Sequence, residues 1–348
     1  MKPDIRSYTL PQLEAHFNEQ GEKKFRARQI YEWLWQKQAR RFDDMTNLSK
    51  PLRARLEEDF TLETLEIAEQ KLSKDGTIKV GFRLPDGEIV EGVLIPADGR
   101  VTACVSSQVG CSLTCKFCAT GYMRMKRNLQ DYEIFDQVYL LRQLSEEKYG
   151  QPLSNIVYMG MGEPLLNYRN VLSSIDRLTS PDGMGIASRR ITVSTAGVAK
   201  MIHRLGDDRV KFEFALSLHA TSDAKRSEMM PINETNSLEA LGDALIHFYE
   251  QTGTRVTYEY ILFDGFNDSM ADARRLLAFC QIIPCKVNII EYNPIAEAGF
   301  RNSTPEATER FTAYLESRGV IVNVRRSRGR DVDGACGQLA LRRETTSA

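Results

Sequence analysis

Val101-Thr-Ala-Cys104-Val-Ser-Ser-Gln-Val-Gly-Cys111-Ser-Leu-Thr-Cys115-Lys-Phe-Cys118 is the stretch that decides the reading of this chain. Its first seven residues have the β-branched and apolar character of a strand. The loop after them carries three cysteines in a C-x3-C-x2-C spacing. A closed structural zinc site wants four protein ligands, and only Cys104 stands near enough in sequence to be a fourth. Cubane iron–sulfur clusters are otherwise held by four cysteines. Three clustered thiols therefore suit a [4Fe–4S] cube with one iron left open to a small molecule. An open iron points to chemistry rather than scaffolding.

Working outward, strands and helices alternate from residue 101 onward. Strand patterns fall at 101–107, 154–159, 190–195, 210–218, 255–262 and 285–291, and helix patterns at 131–149, 168–179, 197–206, 237–252, 269–282 and 304–318. Six βα units with apolar strands predict a parallel α/β architecture. Six is short of the eight that close a full barrel, so the expectation is a partial (β/α)6 barrel. Val320-Ile-Val-Asn-Val is a further strand-like stretch that would border its opening. In such barrels the βα loops at the carboxyl ends of the strands build the active site, and the cysteine loop follows the first strand.

Upstream, Thr9-Leu-Pro-Gln-Leu-Glu reads as a capped helix start, Phe25 to Phe42 carries apolar residues at helical spacing, and Ser49 to Phe60 has Pro51 where a first turn accepts it. Residues 64–100 switch to period two around the turn Pro85-Asp-Gly, a β-hairpin pattern. The expected organisation is a helical RNA-binding accessory domain over 1–62, a hairpin linker over 63–100, the barrel over 101–340 and a tail over 341–348.

Composition sets outer bounds. The 348 residues are 42% hydrophobic and 27% charged with a formal net charge of −1, so an RNA partner would need local basic patches. Three exist: Lys23, Lys24, Arg26, Arg28, Lys37, Arg40 and Arg41 interleaved with aromatics; Arg124, Lys126 and Arg127 just past the cysteines; and Arg325, Arg326, Arg328 and Arg330. They suggest a polyanionic substrate with stacking for unpaired bases. The opening Met-Lys-Pro-Asp-Ile-Arg lacks an apolar run, no stretch approaches membrane-span length, and the seven cysteines are an odd number. A cytoplasmic, monomeric protein with metal-binding or catalytic thiols is expected, with no membrane partner.

Further chemistry sits at the predicted strand ends. Met159-Gly-Met-Gly162-Glu163-Pro164-Leu165 offers close backbone approach and a carboxylate for an ammonium group. Ser194, Ser217-Leu218-His219 and Asn293 end later strands and are candidate ligand contacts. Cys336 lies between Ala335 and Gly337 in a loop that could leave its sulfur accessible, whereas Cys280 and Cys285 read as buried thiols.

Together with Met230-Pro-Ile-Asn233, Ala335-Cys336-Gly-Gln-Leu and the N-terminal Phe25-Arg-Ala-Arg-Gln-Ile, these motifs resemble the RlmN/Cfr family of radical S-adenosylmethionine (SAM) RNA adenine methyltransferases, essentially end to end. The resemblance implies that Cys111, Cys115 and Cys118 hold a [4Fe–4S] cluster. It implies that Glu163, Pro164, Ser194, Ser217, Leu218, His219 and Asn293 contact SAM. One SAM would methylate Cys336, and a second would yield the 5′-deoxyadenosyl radical that activates that methyl group. Cys104 would resolve the covalent RNA adduct through a transient disulfide with Cys336. Glu91 would accept the proton, although its neighbour is Gly92 where the family carries threonine. Implied partners are 23S rRNA, tRNA and a reducing electron donor such as flavodoxin. Pro164 matches the subgroup that methylates carbon 2 of adenine, since the carbon-8 subgroup tends to carry alanine there. The other readings are that carbon-8 enzyme and a non-catalytic, zinc-stabilised RNA-binding protein.

Overall fold

In the computed structural model, which describes residues 2–340, three helices open the chain: α1 (Leu10–Glu19), α2 (Phe25–Trp35) and α3 (Lys50–Asp59). Thr9 caps α1 through a reciprocal bond with Gln12, and Ser49 caps α3 ahead of Pro51. The helix expected to run to Phe42 stops at Trp35. Residues 36–41 are mostly polar and offer no apolar stripe to bury, Gln38 adopts φ 56°, and the amides of Arg40 and Arg41 donate to Asp44 at 2.9 Å each. A buried guanidinium ties these helices to the rest: Arg6 pairs with Asp4 and with Asp136 of the following α/β region, both at 2.9 Å.

Next come β1 (Glu66–Leu72), β2 (Ile78–Arg83), β3 (Ile89–Ala97) and β4 (Arg100–Cys104). The expected hairpin is β2–β3, turned at Asp86-Gly87 with Gly87 at φ 84°. It does not stand apart as a linker. β1 to β4 pair antiparallel, and β4 then pairs parallel with the strand Asn155–Tyr158, so the meander is continuous with the main sheet.

The two-residue strands β5 (Gln108–Val109) and β6 (Arg127–Asn128) clip the base of the cysteine loop. After them run α4 (Asp131–Tyr149), β7 (Asn155–Tyr158), α5 (Tyr168–Thr179), β8 (Ile191–Thr195), α6 (Ala199–Asp207), β9 (Glu213–Ser217), α7 (Asp223–Met229), α8 (Leu238–Thr252), β10 (Val256–Ile261), α9 (Met270–Cys280), β11 (Cys285–Ile290), α10 (Pro305–Glu316) and β12 (Ile321–Arg325). The ten-stranded sheet has the linear order β1-β2-β3-β4-β7-β8-β9-β10-β11-β12, parallel from β4 onward. The six expected strands are β4 and β7 to β11, and the stretch at 320–324 supplies the edge strand β12. Central strands are buried on both faces, as all six residues of β10 are, which is what helices on one side and a filled interior on the other require. β12 is largely exposed and marks the open side. The tail expected over 341–348 lies outside the described residues.

Candidate active site

A cavity of about 660 Å³ opens at the carboxyl ends of the parallel strands. Five of the seven cysteines face it: Cys104, Cys111, Cys115, Cys118 and Cys336. Glu163, Pro164, Ser194, Ser217 and His219 line it as well, whereas Leu218, Asn293 and Glu91 do not. Leu218 is fully buried, as alternation along an extended chain dictates for the residue between two inward-facing neighbours.

The cysteine loop is anchored on three sides. Its Cys111 bridges to Arg124, the amide of Lys116 donates to the carbonyl of Met229 at 3.0 Å, and the Phe117 ring stands edge-on to His219 at 4.8 Å. Burial raises all three thiol pKa values, that of Cys111 to about 12, and neighbouring thiols add to the rise at Cys111 and Cys115. Such thiols become thiolates when a bound cation supplies the charge. A single tetrahedral zinc would draw its sulfurs to about 3.8 Å from one another, given ~2.3 Å bonds. The three thiols do not form a set within 4.8 Å of one another. Three thiols that face one cavity are the donor set a [4Fe–4S] cluster with one open iron would use.

Glycines shape the opposite wall. Gly162 has φ 94°, and a Cβ there would lie 2.5 Å from Cβ of Gln108. The buried Gln108 accepts the amide of Glu163 at 2.8 Å and donates to Asn128 at 2.8 Å. Glu163 is itself buried, and each carboxylate oxygen receives one backbone N–H, from Leu165 at 3.0 Å and Ala196 at 2.7 Å. Burial raises its pKa against those bonds. The Thr195 hydroxyl adds a further hydrogen bond, and the carboxylate still has lone-pair capacity for an incoming donor.

His219 occupies the left-handed region at φ 54° and is buried. Its Nδ1 accepts the amide of Ile261 at 3.1 Å, so a neutral ring carries its proton on Nε2. Burial, with the adjacent Arg226 guanidinium, lowers its pKa to about 3. The ring is therefore a neutral donor.

Cys336 sits on a strap that is laced to the cysteine loop. The amide of Ala119 donates to the carbonyl of Gly337 at 2.7 Å, and the Thr120 hydroxyl to that of Leu339 at 2.6 Å. Asn293, expected as a ligand contact, is bonded to the strap: its Nδ2 donates to the carbonyl of Cys336 at 3.0 Å, and its Oδ1 accepts from Arg330 at 2.9 Å. The Cys336 thiol is exposed and faces the cavity, where desolvation by its walls, followed by the Cys118 thiol, raises its pKa to about 11. Cys104 ends β4 across the cavity. Burial, and then Cys336, takes its pKa to about 12.

Glu91 lies off the cavity. One oxygen pairs with Lys79 at 2.9 Å, and the other accepts the amide of Ala340 at 3.0 Å. Residues the sequence did not single out also line the cavity, among them Glu259 and Tyr292. Glu259 has the inward parity of β10 as its only sequence signal.

Residues 4–62 match the family model described as Ribosomal RNA large subunit methyltransferase N-terminal domain, and residues 105–277 match the Radical SAM superfamily model. The chain is 60% identical over 341 residues to the probable dual-specificity RNA methyltransferase RlmN of Cytophaga hutchinsonii, covering 98% of this chain and 93% of that protein. It is 44% identical to the dual-specificity RNA methyltransferase RlmN of Geotalea uraniireducens, covering 97% and 96%. Among solved structures, a radical SAM methyltransferase from Sphaerobacter thermophilus superposes with a TM-score of 0.90 at 41% identity, over 97% of this chain and 99% of that one.

Proposed function

Because the chain belongs to the RlmN family of RNA methyltransferases, we propose that it methylates carbon 2 of adenosine in 23S rRNA and in tRNA, with Cys336 as the methyl carrier. Identity over the whole chain to proteins named RlmN favours carbon 2 over carbon 8. The observation that carries the reading is that Cys336 and Cys104 face one cavity with Cys111, Cys115 and Cys118.

Carbon 2 of adenine is electron-poor and has no lone pair, so it cannot attack a sulfonium methyl group directly. A thiolate can. In this reading Cys111, Cys115 and Cys118 hold one [4Fe–4S] cluster per chain, which, when bound, supplies the electron that cleaves SAM reductively. A donor such as flavodoxin would deliver that electron. Glu163 offers its remaining lone pairs to the SAM ammonium group, beside Pro164. Ser194, Ser217 and the Nε2–H of His219 line the remainder of the pocket.

Cys336 is protonated at neutral pH, its pKa being raised to about 11. It ionises when positive charge enters beside it, which couples nucleophilicity to arrival of the sulfonium. Once the methylene carbon is bonded to carbon 2, and the adduct has given up one electron to the bound cluster and the carbon-2 proton to a base, Cys104 Sγ would attack Cys336 Sγ. The Cys336 S–C bond breaks, its electron pair goes to the former methylene carbon, which takes a proton to become methyl, and the enzyme is left with a Cys104–Cys336 disulfide. Glu91 serves as proton acceptor only once residues 335–340 withdraw, since Lys79 and the Ala340 amide occupy its two oxygens. Exposed Arg325 and Arg326 on the open edge offer phosphate contacts.

Nucleoside mass spectrometry of rRNA and tRNA from cells with and without the gene tests this. Loss of 2-methyladenosine from both RNAs in the deletion strain supports it, and 8-methyladenosine or no change refutes it.

A further inference from the structure

The chain has four histidines, and two of them meet on the outer surface of the barrel, away from the cavity. His203 and Asp207 stand one turn apart on α6, a spacing that puts both side chains on one helix face. His247 reaches them from α8. Nδ1 of His203 lies 3.3 Å from one oxygen of Asp207, and Nε2 of His247 lies 2.8 Å from the other. The two rings stack at 3.5 Å between centroids and 5° between planes. Ligand atoms of all three residues fall within 4.8 Å of one another, and among the described residues no other group of three His, Cys, Asp or Glu does so.

The close approach is built into the helices. A Cβ at Gly206 would lie 2.9 Å from Cδ2 of His247 and 3.1 Å from Cα of Phe248, so any other residue there would push α8 and its histidine away from Asp207. Arg204, the nearest cation in sequence, is turned to Asp208 at 3.7 Å and to the face of Tyr168, not to Asp207. Asp207 is therefore left to the histidines, and the His247 hydrogen bond and both imidazoles hold its pKa below the ordinary carboxylate value.

We propose that His203, Asp207 and His247 form a surface site for a zinc-class divalent transition metal that clamps α6 to α8, independent of the methyl-transfer reading. Two imidazoles and one carboxylate are the donors that zinc, cobalt and nickel accept, whereas magnesium and calcium prefer all-oxygen sets. Zinc bonds of ~2.0–2.2 Å place tetrahedral donors about 3.3–3.6 Å apart. The present spacings to Asp207, 3.3 and 2.8 Å, reach the lower edge of that range and fall below it, so the donors must spread slightly to admit the ion. Coordination needs one ring to turn out of the stack so that both lone pairs converge, and a water completes the fourth position.

The test is calorimetric titration of zinc chloride into the cluster-loaded full chain, set beside the His203→Gln, His247→Gln and Asp207→Asn variants, with RNA methylation as the check of folding. The cluster occupies Cys111, Cys115 and Cys118, and the other thiols are common to every protein compared. One zinc per chain should bind the unsubstituted protein, at least tenfold more weakly in each variant, with methylation unchanged. Histidine-selective NMR of the unsubstituted protein gives a second reading: zinc should shift the His203 and His247 signals and leave His16 and His219 in place. Equal zinc binding by all four proteins would overturn the proposal. So would unmoved His203 and His247 signals at saturating zinc.

Discussion

Replacing Gly162 by alanine should damage both the fold and the pocket wall, and the damage can be divided into two parts. The first is conformational: an L-residue held at φ 94° costs about 1–2 kcal/mol. The second is a collision, because the new Cβ would lie 2.5–2.8 Å from three side-chain atoms of Gln108. Gln108 is fully buried and bonds the Glu163 amide and Asn128. Pushing it aside leaves a buried donor unsatisfied, at about 1–3 kcal/mol. The total is about 2–5 kcal/mol, a large share of the 5–15 kcal/mol by which domains are stable.

Gly150→Ala is the matched control. Gly150 caps α4 at φ 61° with nothing within 4 Å of its would-be Cβ, so it carries the conformational part alone. Urea unfolding followed by circular dichroism should therefore find Gly162→Ala about 1–3 kcal/mol less stable than Gly150→Ala. Equilibrium dialysis should find SAM binding weakened in Gly162→Ala only. Equal destabilisation by the two substitutions would refute the account of this wall.

Four further outcomes are expected. Arg6→Met leaves the buried carboxylates of Asp4 and Asp136 without their partner and should cost about 3–5 kcal/mol in the same unfolding assay. His219, with its folded pKa lowered to about 3 from an unfolded 6.5, contributes stability that is fully present above pH 6.5. That contribution falls by up to about 1.4 kcal/mol per pH unit on acidification toward pH 3, so His219→Gln should flatten the stability profile between pH 6 and 4. Alkylation of Cys336 by iodoacetamide, followed by peptide mass spectrometry, should accelerate about tenfold per unit from pH 7 to 10, since its pKa is raised to about 11. Cys104→Ala should leave the chain covalently attached to RNA, seen as a species that survives denaturing electrophoresis.

Much of the barrel is legible in the sequence because strands buried on both faces read as apolar runs, and the helices between them carry clear stop signals such as Gly150. β1 is not legible: its Glu-Ile-Ala-Glu-Gln-Lys-Leu is mostly exposed and has no apolar face to announce it. α7 is only seven residues long, too short for helical periodicity to register. At the site, cysteine spacing and the paired glycines identify the walls of the cavity. They do not say what Asn293 does, because its bond to the Cys336 carbonyl spans 43 residues. Nor could they put Glu91 behind the strap, since Lys79 and Ala340 reach it from other parts of the chain. Local pattern encodes which residues face inward; long-range closure decides which of them share the pocket.

The claim that Cys336 carries the methyl group is tested most directly by supplying the cluster-loaded chain with SAM bearing a trideuterated methyl, then adding RNA. Peptide mass spectrometry before the RNA should find the labelled methyl on Cys336, and nucleoside mass spectrometry afterwards should find it leaving for carbon 2 of adenine with one deuterium lost. Labelled 2-methyladenosine formed by a chain whose Cys336 never carries the label, or by the Cys336→Ala variant, would contradict the account.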